Sequence, residues 1–258
     1  MLKNTPISKL IEEEQQEIIA SGKKYKDFFQ HALLSHTLLQ KYIVYSKPEA
    51  FFFLIFLSQV RKHHLLAILS AARKHHVQMV MNLRQVLEAG ASAAYAIGNP
   101  KTEDYANLTD LGLLEIPSKL TTKRYQWLKE HYPNGSSAIK NIKDQLQKSA
   151  HANIVDAYRN FKIKHGAERL EIHTPFFDHE NEFQTKSDFW LIGNIAMGLV
   201  DLFYGVNKDY KVLTFTVDFV ANLQSFEVEN RRLKELQMQT DKFKRADRIA
   251  QIRNKTNK

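Results

Sequence analysis

Hydrophobic side chains recur at helical spacing along most of the chain. Ile7, Leu10, Ile11, Ile18 and Ile19 follow a period near 3.6, which predicts an amphipathic helix over 7–20. The same period predicts further helices over 25–45, 118–131, 138–157 and 186–204, and one that starts near 212. We expect Gly22 to separate the first two, and Pro133-Asn134-Gly135 to precede the helix at 138.

The stretch from 49 to 98 contains no proline and one internal glycine, Gly90, before Gly98. A single helix of this length would span about 75 Å, so we expect two helices joined by a tight turn near 70–74. Gly98-Asn99-Pro100 then provides a strong stop signal for the second helix.

One segment changes from the helical period to a period of two. Phe161 and Ile163 alternate with lysines, and Leu170 and Ile172 alternate with charged residues, on either side of a loop with Gly166. This alternation predicts a β-hairpin near 159–174.

These patterns predict an all-α fold, a multi-helix bundle of about seven to nine helices with one small hairpin. The composition agrees, because glycine (9) and proline (6) are scarce while 43% of residues are hydrophobic and 25% are charged. We expect a helical N-terminal extension (1–47), a main bundle domain (48–240) and a basic C-terminal tail (241–258).

The chain contains no cysteine, which excludes disulfides, thiolate nucleophiles and zinc sites built on cysteine. Glu12, Glu13, Glu14 and Glu17 exclude an N-terminal signal peptide, and the most apolar run, 51–57, is far shorter than a membrane span. We therefore expect a cytoplasmic protein that does not contact a membrane, without a metal site or cofactor. Two long helices with apolar faces are compatible with a homodimer.

The formal net charge is +9, and residues 242–258 hold seven Lys or Arg against one Asp. Such an excess attracts polyanions, so RNA or DNA is an expected partner of the tail. The expected contacts are Lys242, Lys244, Arg245, Arg248 and Arg253.

Arg84 and Glu88 are charged residues inside the apolar stripe of the helix 77–97. At 100° per residue they fall near −20° and +20° from Val77, in the stripe that contains Val80, Met81 and Leu87. Because an isolated buried charge is costly, we expect the two side chains to pair. The pair is either architectural, or the floor of a pocket, or in solvent if the helical phase is different.

A second polar cluster, Ser149-Ala150-His151-Ala152-Asn153, lies in the helix 138–157. His151 is either a general base or a core histidine bonded to a carboxylate such as Glu88. Arg84, Glu88 and His151 are thus candidate catalytic residues. A small anionic ligand would be bound by Arg84, Tyr95 and Ser149.

Two other patterns have structural interpretations. Thr185 and Asp188 resemble a capping box at the start of the helix 186–204. Arg61-Lys62-His63-His64 and Arg73-Lys74-His75-His76 repeat twelve residues apart, which we attribute to chance or to the polar faces of packed helices.

Two resemblances bear on function. The segment 82–88 (Asn-Leu-Arg-Gln-Val-Leu-Glu) with Ser149-Ala150-His151 resembles a broad group of uncharacterised bacterial all-helical domains. That resemblance implies a helical bundle without an assigned activity. Arg159 and His165 also resemble the Arg-polar-x(4–6)-His signature of the HEPN nucleases, helical-bundle RNases of toxin and phage-defence systems. The resemblance to the HEPN nucleases implies that Arg159 would steady a phosphate and that His165 would act as acid or base on a ribose hydroxyl.

No glycine-rich phosphate loop or nucleophile elbow occurs in the sequence. We therefore expect an interaction or structural module, in a bacterial stress or defence setting. The alternatives are a metal-independent, HEPN-like RNase or nucleic-acid-binding effector, and a small anionic ligand binder at Arg84, Glu88 and His151.

Overall fold

The computed structural model describes residues 6–108, 111–150, 162–165, 170–173, 175–241 and 243–244. Seven α-helices occur within these ranges, which confirms the all-α bundle. They are α1 (Pro6–Lys41), α2 (Phe51–Ala72), α3 (His76–Gly98), α4 (Leu120–His131), α5 (Pro133–Ala150), α6 (Glu182–Tyr210) and α7 (Phe219–Met238).

In the described part of the chain, six short strands accompany the helices and form three antiparallel pairs. The predicted hairpin is confirmed: β4 (Lys162–His165) pairs with β5 (Leu170–His173), with Ile163 opposite Ile172. Two pairs were not predicted. They are β1 (Ile43–Ser46) with β6 (Leu213–Phe215), and β2 (Asn107–Leu108) with β3 (Leu114–Glu115).

The split of residues 49–98 into two helices is confirmed. α2 ends at Ala72, Lys74 adopts a left-handed conformation with φ of 60°, and α3 begins at His76. A lysine can occupy this region at a modest cost when the surrounding structure holds the turn.

Helix α3 lies at the centre of the core, where α2, α5 and α6 pack around it. Leu83, Leu87 and Tyr95 are fully buried on α3, as are Phe189 and Phe203 on α6. Gly90 permits the close approach of α3 and α6, since a Cβ there would lie 2.5 Å from Leu199 Cδ2. The C-terminal half of α1 contributes its own apolar residues to this same core.

Several predicted boundaries are wrong by a few residues or more. The first two predicted helices form the single element α1, whose kink lies at Lys26 (φ 34°) and not at Gly22. Helix α5 starts at Pro133, because proline is favourable in a first helical turn and Gly135 packs against Leu202. After α3, a 3-10 turn over Thr102–Asp104 is followed by β2.

The start of α6 also differs from the expected capping box. Asn181 is the N-cap, and its side chain accepts a hydrogen bond from the backbone N–H of Gln184. Thr185 and Asp188 therefore lie inside the helix, and both are buried.

Two helical stretches, Pro48–Ala72 and Glu182–Tyr210, are long and apolar enough to cross a membrane by length and composition alone. In the bundle, 33% and 56% of their most apolar windows are buried. Since the core helices of globular proteins pass the same test, this is weak evidence for a membrane span.

Candidate functional site

His76 and Asp188 form a hydrogen-bonded pair between the first turn of α3 and the second turn of α6. The distance from His76 Nδ1 to Asp188 Oδ2 is 2.9 Å. Gln184 Nε2 donates to the other carboxylate oxygen at 2.8 Å. The His76 backbone N–H donates to Asp178 Oδ2 at 2.7 Å, which anchors the start of α3. Both the ring and the carboxylate are therefore held in defined orientations.

Asp188 is a buried carboxyl group, and 6% of its side chain is exposed. Burial raises its pKa, while the hydrogen bond and the charge of His76 act in the opposite direction. Removing the carboxylate from water disfavours its ionised form, and the two donated hydrogen bonds favour it. The partners of Asp188 thus offset part of the cost of placing an acid in the bundle interior, and its pKa stays above the usual value.

The pair lies on the wall of a cleft of about 430 Å³. Helix α5 packs on α3 and α4, and α6 packs on α3 and α7, so the cleft is the space between α5 and α6. This volume falls in the range of ordinary small-molecule pockets. The described residues that line it are His76, Val80, Ile142, Gln145, Leu146, Phe183, Gln184, Ser187, Asp188, Trp190, Leu191, Lys234, Gln237, Met238 and Phe243.

Gln237 contributes a buried acceptor without a partner to this cleft. Only 7% of the residue is exposed, and its Nε2 lies 3.5 Å from the Phe183 carbonyl oxygen, to which it donates. Its Oε1 is buried and accepts no hydrogen bond from the residues that the structure describes. Leaving such an acceptor unsatisfied costs about 1–3 kcal/mol, which a donor in the cleft would recover.

The mouth of the cleft carries a cation beside an aromatic ring. Lys234 is exposed, and its Nζ lies 6.0 Å from the centre of the Trp190 ring. Trp190 is itself fixed, because its Nε1 donates to the Asn230 carbonyl oxygen at 2.9 Å. The cleft therefore combines an apolar body with a few oriented polar groups.

The expected Arg84–Glu88 pair is wrong. Glu88 Oε1 is 3.0 Å from Lys143 Nζ on α5, and no ion pair joins Glu88 to Arg84 in the described part of the chain. Both residues are half-buried, because the most buried face of α3 is centred on Leu83 and Leu87. Met81, expected in the stripe, is 54% exposed. Arg84 Nε is nevertheless buried without a hydrogen-bond partner.

None of the other predicted site residues is among the described residues that line the cleft. Tyr95 is fully buried against Tyr105 and Trp127. It lies about 28 Å along α3 from His76 at 1.5 Å per residue. The backbone of Ser149 belongs to α5, His165 ends β4 opposite Leu170, and Lys244 is exposed. The predictions that fall outside the described residues concern His151, Arg159, Lys242, Arg245, Arg248 and Arg253.

The His76–Asp188 pair was missed, although the sequence contains a signal for it. Asp188 is spaced with Thr185, Ile192 and Ile195 on the buried stripe of α6, in the way that drew attention to Arg84 on α3. A capping box would put Asp188 in the first turn of a helix, where an acidic side chain is usually exposed. The repeat that contains His76 was expected to reflect chance or the polar faces of packed helices, but His76 is half-buried against Asp188.

Among the residues that the structure describes, no group of three or more His, Asp or Glu is arranged to hold a metal ion. No family model, curated protein or solved structure matches this chain.

Proposed function

We propose that this protein is a helical binding module that takes up a small, mainly apolar molecule in the cleft between α5 and α6. The observation that carries the proposal is Gln237 Oε1, a buried acceptor without a partner on the wall of a cleft of about 430 Å³. This develops the alternative of a small-ligand binder, with an apolar ligand in place of an anionic one, and it moves the expected ligand site from Arg84 to the cleft beside the His76–Asp188 pair.

The lining defines the ligand class. Apolar side chains from α3, α5, α6 and α7 surround the body of the cleft, so a ligand gains most of its binding free energy from apolar burial. Gln237 Oε1 requires a hydrogen-bond donor. The ligand is therefore an apolar molecule that carries at least one N–H or O–H group.

The neutral dye N-phenyl-1-naphthylamine tests this proposal, because it combines an apolar body with one N–H donor. The chain has two tryptophans, and only Trp190 lines the cleft. In a Trp127→Phe background, we expect saturable binding with energy transfer from Trp190 to the dye.

Gln237→Leu should weaken dye binding roughly two- to tenfold, the cost of one lost hydrogen bond. The matched control is Gln224→Leu, an exposed position on the same helix, which should leave the affinity unchanged. An absence of saturable binding, or equal affinity in the Gln237→Leu and Gln224→Leu proteins, would overturn the proposal.

A further inference from the structure

A second, smaller cavity of about 130 Å³ lies beyond Ile142, which lines both spaces. Its only polar side chain among the described lining residues is Asn194, whose Oδ1 already accepts a hydrogen bond from Asn230 Nδ2 at 2.9 Å. The described lining residues are Leu87, Gly135, Ala138, Ile139, Ile142, Asn194, Ile195, Met197, Gly198, Leu199 and Leu202.

Along each of three helices, α3, α5 and α6, the residues that line the cleft are followed by residues that line the second cavity. On α3, Val80 lines the cleft and Leu87 lines the second cavity, about 10 Å further along the helix axis. On α5, Leu146 lines the cleft, Ile142 lines both spaces and Ile139 lines the second cavity. On α6, residues around Asp188 line the cleft and residues around Leu199 line the second cavity. Both spaces lie between α5 and α6 over α3 and share Ile142, and together they are called the groove.

Polar groups are concentrated at one end of this groove. Gln184, Asp188 and Gln237 lie at the cleft end, whereas the far end is aliphatic apart from Asn194. The buried groups at the polar end include the carboxyl oxygens of Asp188 and the unpaired Oε1 of Gln237, which are acceptors. The solvated Lys234 at the mouth attracts an anionic head less strongly than these buried oxygens repel it, while a neutral hydroxyl or amide would donate to Gln237.

We infer that the ligand is a neutral amphipathic molecule with a hydroxyl or amide head and a single aliphatic chain. The head binds at Gln237, and the chain passes Ile142 into the second cavity. This inference rests on the proposed function and adds the ligand class and its orientation.

Displacement of N-phenyl-1-naphthylamine by hexanol, octanol and decanol measures how much the alkyl chain of the ligand contributes to affinity. Each methylene that enters the groove should raise the affinity roughly fourfold, from about 0.8 kcal/mol per buried CH₂. The carboxylates of the same chain lengths should bind more weakly than the alcohols. Equal or tighter binding of the carboxylates would overturn the assignment of a neutral head.

Ile142→Trp should block the space between the cleft and the second cavity. Decanol should then bind no more tightly than hexanol, while hexanol still displaces the dye. Ala138→Phe, at an exposed position that lines only the second cavity, should have the same effect with little risk to folding. The conservative control Ile142→Met should preserve the dependence on chain length.

The outcomes separate this inference from the proposed function. One contrary result is that the dye and hexanol bind without a rise in affinity from hexanol to decanol, and another is that both blocking variants leave that rise unchanged. Either result contradicts the inference that an aliphatic ligand chain enters the second cavity, while the cleft remains a binding site. If neither the dye nor any alcohol binds saturably, the proposed function itself is wrong.

Discussion

The imidazole rings of His36 and His64 stack with their centroids 5.4 Å apart and their Nδ1 atoms 3.3 Å apart. His64 is fully buried, and its Nε2 lies 3.3 Å from both Ser35 Oγ and the Ile192 carbonyl oxygen. One set of tautomers satisfies these contacts. His64 Nε2–H donates to Ser35 and Ile192, and His64 Nδ1 accepts from His36 Nδ1–H. His36 Nε2 then accepts from Gln40 Nε2 at 2.8 Å.

This neutral pair predicts a loss of stability in acid. Burial lowers the pKa of His64 from 6.5 to about 3 and also lowers the pKa of His36. Because the folded-state pKa lies below the unfolded value, the stabilisation is fully present above pH 6.5 and is lost as pH falls toward 3. We expect the free energy of unfolding to fall across this range, with His64 contributing up to about 1.4 kcal/mol per pH unit.

Urea unfolding at a series of pH values measures this slope. His64→Gln should have a shallower slope than the wild-type chain, whereas His179→Gln, at an exposed position, should retain the wild-type slope. Parallel slopes in the wild-type and His64→Gln proteins would contradict the assignment.

Gly193 on α6 allows His31 to pack against the helix. A Cβ at this position would lie 2.6 Å from His31 Cδ2, and the ring cannot easily move away. It stacks on Phe226 and its Nε2 is 3.0 Å from Asn230 Oδ1. Gly193→Ala should therefore destabilise the protein by about 1–3 kcal/mol, as for other overpacked sites.

Gly198 is the matched control, because it lies on the same helix and a Cβ there meets no atom within 4 Å. Gly198→Ala should stabilise the protein by about 0.5–1 kcal/mol, since alanine is the better helix former. Thermal unfolding of both variants is the measurement, and a Gly193→Ala protein as stable as the wild type would contradict the close packing.

Asp188 should matter for stability more than other acids of α6. Asp188→Ala removes the acceptor of both His76 and Gln184, and we expect a loss of about 1–3 kcal/mol in the free energy of unfolding. Asp201→Ala, at an exposed position, should change it by less than about 0.5 kcal/mol. Equal effects of the two substitutions in chemical denaturation would argue against a structural coupling of α3 and α6 through His76.

The basic tail predicts electrostatic binding of RNA. Affinity for a single-stranded RNA should fall steeply between low and moderate salt, because bound phosphates release counterions. Replacing five tail residues by glutamine should remove most of this binding; they are Lys242, Lys244, Arg245, Arg248 and Arg253. The matched control replaces five exposed lysines elsewhere: Lys23, Lys101, Lys119, Lys129 and Lys140. No binding at low salt, or equal losses in both variants, would show the prediction to be wrong.

The resemblance to HEPN nucleases makes a separate prediction about cleavage. RNA incubated with the protein in a chelator should be cut without a metal ion, and both Arg159→Ala and His165→Ala should abolish cutting. Gel analysis of a labelled RNA measures it, with Arg169→Ala as the control. Intact RNA after incubation with the wild-type protein would exclude this activity.

The local features of this fold could be predicted from the sequence because they depend on neighbouring residues. The stop at Gly98 and the β4–β5 hairpin follow from short-range periodicity and from glycine and proline positions, and the turn between α2 and α3 follows from the length that a single helix over 49–98 would have. The helical phase predicted Arg84 and Glu88 inside the buried stripe of α3, whereas the structure has both half-buried at its edge.

The features that define the cleft depend on residues far apart in the chain. His76 and Asp188 are 112 residues apart, and only the packing of α3 against α6 brings them to 2.9 Å. The strand pair β1–β6 and the Lys143–Glu88 ion pair are also long-range contacts. Helical periodicity shows which face of a helix is apolar but not which helix covers it. The sequence alone therefore determined the helices, whereas the tertiary structure decided which polar residues meet, since that depends on where α5 and α6 leave space above α3.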